Sequence, residues 1–245
     1  MSEMMPHIQL PAGLEIRNAI LPGDPGRVDR VAACLEQPEA LAFNREYKSV
    51  RGLYHGVPVL VMSTGMGGPS TAIAVEELAR SGVQRMLRIG SCGALTDQLN
   101  LGDLVLVQAA VRDDGTSASY APLAYPAVAD PEVLVACQHV AAALHIPHTT
   151  GLARSHDCLY GDNNPALYEE WSRRGVISSD METATLFVVG RLRGVQCGSL
   201  LNVVAEFHKD VAQSVDRYQS GAEATAAGER REILTALEAL VLLNR

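Results

Sequence analysis

The feature that most constrains this chain is the alternation of short apolar runs with segments whose apolar residues recur at helical spacing. The runs are near-continuous stretches of Val, Leu and Ile, which is typical of strands buried on both faces. They cover residues 57–64, 85–90, 103–111 and 198–205. The helical patterns cover 69–82, 130–145, 164–175, 180–194 and 228–244, and an Ala- and Gly-rich loop is expected at 219–228. This alternation predicts an α/β fold, one domain over residues 1–245 with a mixed central β-sheet flanked by helices.

The composition agrees with a compact enzyme and disfavours two other classes of protein. Of the 245 residues, 47% are hydrophobic and 20% are charged, which is typical of globular chains and not of disordered ones. The formal net charge is −8, whereas proteins that bind nucleic acid usually present a basic face. No apolar segment approaches the roughly 18 residues that a membrane span needs. We therefore expect neither a nucleic acid nor a membrane as a partner.

The cysteines and the N-terminus indicate the compartment. The five cysteines are widely spaced and form no CxxC pair, which disfavours a zinc site and a disulfide framework. The first residues lack the basic stretch and the apolar run of a secretory signal. A cytoplasmic protein is the expectation.

Glycine-rich segments follow two of the predicted strands. STGMGG (63–68) precedes the helix at 69–82, and GSCG (90–93) ends the strand at 85–90. Glycines let the backbone approach a ligand closely, and ligands of open α/β sheets bind at the carboxyl ends of strands. Each segment is by itself also typical of an ordinary turn. Neither matches GxGxxG or the Walker A pattern, which disfavours dinucleotides and nucleoside triphosphates.

Six segments, taken in order, resemble one family. GDPGR, NRE, TGMGGPSTAIAVEEL, LRIGSCGA, AAVRDDG followed by PAVAD, and DMETATLF are similar to the nucleoside phosphorylase family, which contains uridine phosphorylase and the hexameric bacterial purine nucleoside phosphorylases. The resemblance extends from about His7 to Val204. It implies the phosphorylase/hydrolase-like fold and cleavage of the N-glycosidic bond of a ribonucleoside to a free base and ribose 1-phosphate. Inorganic phosphate is then the co-substrate, and no other cofactor is implied apart from a cation.

The resemblance also implies a phosphate site. Gly23, Arg27, Arg88 and Ser91 match the family's phosphate-binding positions, and Arg45 matches an arginine that reaches the phosphate of the neighbouring subunit. Three guanidiniums and a hydroxyl group hold a phosphate dianion by charge-assisted hydrogen bonds. A dianion held against C1′ stabilises the positive charge that develops on the sugar, so Arg88 is expected to be catalytic as well.

A nucleoside site and a cation site are implied in the same way. His7 matches a histidine that contacts the 5′ end of the sugar across the subunit interface. The ribose-contacting positions are Met66, Met181 and Glu182, and the base-bordering positions are Cys92, Gly93, Leu159 and Tyr160. Glu46 and Ser70 match residues that bind potassium at the dimer interface of uridine phosphorylases, so K⁺ is a further expectation. A homo-oligomer is expected, and a hexamer built from dimers is usual in the family.

The general acid departs from the family's pattern. Purine enzymes carry an aspartate after the last strand and uridine phosphorylases carry Asn-Arg, whereas this chain reads NVVAEFHKD. The simplest register puts Ala205 at the position of the acid. A shift of one residue makes Glu206 the general acid, which is our prediction. A solvated loop carboxylate at Glu206 and His208 as the acid are the alternatives.

The segment that reads the base is the second departure. Between Tyr160 and Trp171 the chain has no Gln or Arg, whereas uridine phosphorylases read uracil with both, and Leu159 replaces the usual aromatic residue. The short loop resembles that of purine enzymes, so the predicted substrate is a purine nucleoside such as inosine or guanosine. Uridine is the alternative substrate. A homologue that binds a nucleoside or an anion without turnover is a further alternative, while the three arginines disfavour a nucleosidase that uses water.

Overall fold

The computed structural model describes residues 4–209, 211–219 and 223–245, in which strands and helices alternate. The strands are β1 (Asn18–Pro22), β2 (Glu36–Asn44), β3 (Tyr47–Tyr54), β4 (Val57–Met62), β5 (Arg85–Ala94), β6 (Leu104–Asp113), β7 (Ala127–Val128), β8 (His148–His156), β9 (Val176–Asp180) and β10 (Gln196–Ala205). The helices are α1 (Pro25–Ala32), α2 (Gly68–Arg80), α3 (Gly115–Tyr120), α4 (Pro131–Ala143), α5 (Asn164–Arg173), α6 (Thr183–Leu192), α7 (Val211–Gln219) and α8 (Glu223–Leu242).

The strands form one mixed sheet in the order β10-β6-β8-β9-β5-β1-β4-β3-β2, with β7 beside β6. β10 also pairs in parallel with β5, so β5, β10, β6, β8 and β9 close into a ring from which the other strands extend. The β1–β5 and β6–β8 pairs are parallel, whereas the β2–β3 and β5–β9 pairs are antiparallel. The predicted α/β fold with a mixed central sheet is confirmed.

Helices supply the apolar side chains that cover the sheet. α2 and α6 contribute Leu78 and Phe187 to one buried cluster. α4 and α8 contribute Val133 and Leu237 to a second cluster, which also includes residues of α1. Within the described ranges, none of the helices combines the length and the apolar character that a membrane span requires.

A gap along one edge of β5 positions the site. β1 pairs with β5 only as far as Pro22, opposite Ile89, and β9 pairs with β5 only from Gly93 onward. Between these two points the edge of β5 has no strand neighbour in the described part of the chain. Because β1 and β5 are parallel, this gap lies at their carboxyl ends, where α/β sheets bind ligands.

The loop expected at 219–228 is corrected in part. Residues 220–222 lie outside the described residues, but 223–228 are the first turns of α8. Gly228 is a packing residue there, because a Cβ would lie 2.7 Å from the Cα of Gly102 and would also collide with Asn202. A glycine that is typical of a flexible loop in the sequence therefore permits a helix to pack closely against the end of β10.

Candidate active site

A cavity of about 1600 Å³ opens beside the gap in β5. Its walls come from the carboxyl ends of β1, β5, β8, β9 and β10 and from residues of α1, α5, α7 and α8. Most of the predicted site residues line it: Gly23, Arg27, Glu46, Met66, Arg88, Ser91, Cys92, Gly93, Leu159, Met181, Glu182 and Glu206. The fold thus brings positions from the whole length of the chain to one place.

Arg27 lies in the first turn of α1. The Asp24 carboxylate caps this helix by accepting the N–H of Gly26 at 2.9 Å. The Arg27 guanidinium is buried, and its Nε donates to the Glu229 carboxylate at 2.9 Å. Burial alone would lower the pKa of Arg27, but the facing carboxylates outweigh burial and raise it. The GDPGR segment is therefore a helix start that presents a permanent positive charge at the end of β5.

Arg88 lies on β5, and its guanidinium folds over Gly90. A Cβ at position 90 would lie 2.7 Å from the Arg88 Cζ, so only glycine leaves room for this side chain. Arg88 Nε donates to Asp180 at 3.2 Å and Nη2 donates to Glu182. Among the described residues, neither Arg88 Nη1 nor the Ser91 hydroxyl has a hydrogen-bond partner, and both residues line the cavity. These two groups retain donors for a bound anion.

Asp180 and Glu182 stand where β9 ends and α6 begins. Asp180 Oδ2 accepts the N–H and the hydroxyl of Thr183, the first residue of α6, at 3.0 and 2.6 Å, and it also holds Arg88. Glu182 Oε1 accepts the N–H of Gly67 at 2.6 Å. Burial raises the pKa of Glu182, against the opposing charge of Arg88. A carboxylate offers about four acceptor positions, so Glu182 keeps acceptor capacity for a hydroxyl of a sugar.

Two glutamates that the sequence analysis did not single out complete this end of the cavity. Glu229 binds both Arg27 and Arg30, and Glu232 Oε1 accepts the N–H of Gly90 at 2.6 Å. Both side chains lie on the buried face of α8. A carboxylate on the apolar face of an amphipathic helix is the sequence signal that identifies residues of this kind.

The other end of the cavity includes a histidine that the sequence analysis missed. His156, at the carboxyl end of β8, is buried, and its Nε2 lies 3.1 Å from the Ser179 hydroxyl. The Tyr168 ring meets the imidazole edge-on, with centroids 6.1 Å apart. Burial and the charge of Arg154 lower the pKa of His156, so the ring is neutral at pH 7. Its position at a strand end is the signal that identifies it.

Leu159 and Tyr160 differ in where they point. Leu159 lines the cavity, whereas Tyr160 does not, and 71% of the Tyr160 surface is exposed. The Asn164 amide donates to the carbonyls of Cys158 and Leu159 at 2.8 and 2.9 Å, which folds this segment into a turn. The turn places Leu159 on the inner side and Tyr160 on the outer side, so Tyr160 departs from its predicted role.

The segment after β10 closes one side of the cavity. Ala205 is buried and Glu206 is exposed, and both line the cavity. His208 lines it as well, and its Nδ1 lies 3.1 Å from the Glu169 carboxylate on α5. Both candidates for the general acid, Glu206 and His208, therefore reach the cavity.

Three other predicted residues lie away from the cavity of their own chain. Arg45 is exposed at the tip of the β2–β3 hairpin with a φ of 53°. His7 Nδ1 lies 2.6 Å from the Glu77 carboxylate, which also accepts the backbone N–H of His7. For Arg45 and His7 the predicted role is in the neighbouring subunit, and it stays a prediction. Ser70 donates its hydroxyl hydrogen bond to the carbonyl of Met66 at 3.1 Å.

The two residues predicted to bind potassium meet at Gly65. A Cβ at Gly65, whose φ is +73°, would lie 2.7 Å from the Glu46 Cγ and 3.2 Å from the Ser70 Oγ. The described residues contain no cluster of three His, Cys, Asp or Glu side chains that would hold a metal ion. Carboxylate and hydroxyl oxygens are ligands that hard cations accept, so K⁺ at Glu46 and Ser70 stays a proposal.

A family model described as the phosphorylase superfamily matches residues 17–241. The chain is 37% identical to the uridine phosphorylase of Thermococcus kodakarensis, over 98% of this chain and 87% of that protein. The chain belongs to the nucleoside phosphorylase family. The prediction of a pentosyltransferase of this family is thereby confirmed.

Relatives in the family carry two kinds of name. Bacterial relatives at 38% to 41% identity are also named uridine phosphorylase, and a relative from Halorubrum lacusprofundi, 39% identical over 81% of this chain and 82% of its own, is named guanosine phosphorylase. The predicted preference for a purine base is not supported by these names, most of which favour uridine.

Solved structures of the family share the fold along the whole chain. A uridine phosphorylase from Vibrio fischeri ES114 superposes with a TM-score of 0.91 at 38% identity, covering 98% of both chains. A purine nucleoside phosphorylase from Toxoplasma gondii superposes with a TM-score of 0.92 at 31% identity, covering 100% of this chain and 98% of the other. The fold therefore accommodates both kinds of base, and the base end of the cavity must distinguish them.

Proposed function

We propose that this chain is a uridine phosphorylase, which cleaves uridine with inorganic phosphate to uracil and ribose 1-phosphate. The observation that carries the proposal is a single cavity in which Arg27, Arg88 and Ser91 stand at one end and Glu182 stands beside them. Cationic and hydroxyl donors suit a phosphate, and a buried carboxylate suits the hydroxyls of a sugar. A nucleoside with phosphate at its C1′ satisfies both groups at once.

The phosphate end supplies positioning and charge. A phosphate oxygen forms a bond to C1′ while the bond from C1′ to the base nitrogen breaks and its electron pair leaves with the base. Arg88 Nη1 and the Ser91 hydroxyl hold the dianion, and Glu182 orients the ribose by its remaining acceptor positions. Because these groups are held before the ligands bind, they stabilise the positive sugar without reorganising.

The departing base gains a proton at the opposite end. Glu206 is the proposed donor, since it lines the cavity directly after β10 and remains accessible to solvent for reprotonation. His208, tied to Glu169, is the alternative donor. Either one gives its proton to the base as the glycosidic bond breaks.

The base end offers polar groups in place of the missing Gln and Arg. The neutral imidazole of His156 and the Ser179 hydroxyl line this end of the cavity and lie 3.1 Å apart. The uracil ring presents an N–H between two carbonyls, and polar side chains that exchange their present partners for it would recognise this edge. Together with the names of the relatives, this favours uridine as the substrate.

The assembly is part of the proposal. Arg45 and His7 lie outside the cavity of their own chain, so a neighbouring subunit that supplies them completes the site. A homo-oligomer, with a hexamer built from dimers as the family's usual form, satisfies this requirement, and K⁺ at Glu46 and Ser70 would brace it. The cytoplasm as the compartment stays a prediction from the sequence.

One assay tests the proposed reaction. The purified protein is given uridine, thymidine, inosine, guanosine or adenosine, with and without phosphate, and the release of free base is followed by chromatography. We expect release that depends on phosphate, with the highest kcat/KM for uridine. Release that ignores phosphate would contradict the phosphorylase, and no release from any nucleoside would leave a homologue that binds without turnover.

Guanosine is the second candidate substrate. The relative named guanosine phosphorylase is as similar to this chain as the uridine enzymes are, and the segment between Tyr160 and Trp171 lacks Gln and Arg. A higher kcat/KM for guanosine than for uridine would transfer the proposal to this candidate.

A further inference from the structure

Glu232 is buried beneath the phosphate end and has an oxygen atom without a partner. Its Oε1 accepts the N–H of Gly90, whereas Oε2 has no hydrogen bond among the described residues. Oε2 lies 3.6 Å from Nη1 of Arg27, which donates its hydrogen bond to the carbonyl of Ile89. Arg27 and Gly90 line the cavity whereas Glu232 does not, so Glu232 acts on a bound anion through these neighbours, of which Arg27 carries the charge.

The carboxylates around Glu232 already outnumber the arginines without a ligand. Arg27 from α1 faces Glu229 and Glu232 from α8, and Arg88 from β5 faces Asp180 and Glu182. The other titratable groups that influence Glu232 or are influenced by it are the Tyr218 hydroxyl on α7, which bonds Glu229, and the Cys92 thiol on β5. Arg30, at the rim, is paired with Glu229 and Asp24.

A phosphate dianion adds two negative charges to this cluster, in which carboxylates already outnumber arginines. Uncompensated charge is costly in a buried site, and a nearby negative charge favours the neutral form of a carboxyl group. Tyr218 and Cys92 are neutral already, because burial raises the pKa of both groups. Burial also raises the pKa of Glu232, to about 8, against the charges of Arg27 and Arg88. Glu232, with its free oxygen, is the group that most readily accepts a proton.

We infer that phosphate binding is coupled to the uptake of a proton by Glu232, so that this residue, acting through Arg27, sets the pH range in which the site accepts phosphate. The inference rests on the proposed function, in which phosphate is the co-substrate. Above pH 8 the free site has lost the proton that the bound site requires, so the affinity for phosphate falls by up to about tenfold per pH unit. A residue that only anchored Gly90 would leave this dependence unchanged.

Calorimetry measures the proton directly and needs no turnover. Inorganic phosphate is titrated into the whole protein at pH 8.5 in two buffers that differ in their enthalpy of protonation, which yields the number of protons taken up per phosphate bound. We expect more than about half a proton for the natural chain and close to none for Glu232→Gln. The matched control is Glu238→Gln, which changes the same group on the same helix where it bonds Tyr54.

Activity supplies a second readout. The KM for phosphate of the natural chain should rise from pH 7.5 to 9, and that of Glu232→Gln should rise much less. Phosphate itself titrates in the same way in both experiments, so its own titration cancels in the ratio of the two KM values. The KM for the nucleoside should have the same pH profile in both.

The results that overturn this inference differ from the result that overturns the proposed function. Binding of phosphate by the natural chain without proton uptake overturns the inference, and this result does not depend on how a variant folds. Uptake that persists in Glu232→Gln assigns the proton to another carboxyl such as Glu182 and overturns it too. An absence of phosphate binding at every pH overturns the proposed function itself.

Discussion

The two ends of the cavity are built in opposite ways. At the phosphate end, Arg27 and Arg88 are buried on regular elements, and each faces two carboxylates. At the base end, Glu206 and His208 stand exposed on the segment after β10, and His156 is the buried polar group. The charged groups are therefore fixed by burial where phosphate is expected, whereas they are exposed to solvent where the base is expected.

This difference indicates how one fold serves several bases. Preorganised charge is effective only when its position does not change, which burial on α1 and β5 ensures. Base choice requires only a few side chains to differ, and loops tolerate such differences because few contacts depend on them. We therefore expect substitutions at the phosphate end to abolish activity and those at the base end to alter specificity.

The largest effect is expected for Arg88→Gln. It removes a phosphate donor and leaves Asp180 and Glu182 buried without their cation. The value of kcat/KM should fall about 10³-fold, and the free energy of unfolding should fall by about 3–5 kcal/mol. Steady-state kinetics and urea unfolding measure the two losses.

Arg80→Gln on α2 is the control, because Arg80 forms only an exposed ion pair with Glu76. It should change the free energy of unfolding by less than about 1 kcal/mol. A folded Arg88→Gln protein with activity within tenfold of the natural chain would separate Arg88 from the phosphate site.

Mixing two inactive variants tests whether the phosphate end is shared between subunits. Arg45→Ala and Arg88→Gln are each expected to be nearly inactive, but a mixed dimer keeps one site with Arg88 of one subunit and Arg45 of the other. Random co-assembly should restore about a quarter of the natural activity. Native mass spectrometry verifies the mixed dimers, and mixed dimers without activity would place Arg45 outside the neighbour's site.

Glu206→Gln tests the acid at the base end. The kcat for uridine should fall about 10²-fold, since a positioned acid typically contributes at least that much, while the KM for phosphate should stay unchanged. His208→Gln is the matched comparison from the same segment and should retain most of the activity. The reverse ranking of the two variants would assign the proton to His208.

The smallest effects concern recognition of the base. His156→Ala should raise the KM for the nucleoside about tenfold by removing hydrogen bonds and should leave the KM for phosphate unchanged. Burial lowers the pKa of His156 below the ordinary histidine value of 6.5, so the imidazole is mostly neutral at any pH above 6.5. The KM for the nucleoside should therefore be constant from pH 6.5 to 8.

Tyr160→Ala, an exposed change in the adjacent loop, should have no effect on either KM. A pH-dependent KM for the nucleoside would mean that the base end also carries a titrating charge and would weaken the contrast between the two ends.

Local patterns of the sequence were enough for the long buried strands β4, β5, β6 and β10 and for the helices α2, α4, α5, α6 and α8. Apolar runs and helical periodicity depend on neighbours in the chain, so they predict β5 or α4 without tertiary contacts. Arg27 and Arg88 lie in segments whose order and spacing identify the family. The local pattern at 223–228 favours a loop, whereas the close approach of Gly228 to Gly102, which joins distant parts of the chain, accommodates a helix there.

The sequence by itself determined the family, the mixed α/β fold and which residues are the candidates for binding phosphate. Only the tertiary structure decided which carboxylates face those residues, because Glu229 and Glu232 reach Arg27 across about 200 positions of chain. It likewise brought His156 and Ser179 together and turned Tyr160 outward. Periodicity and motifs record local preference, whereas the balance of charge in a buried site depends on which elements pack together.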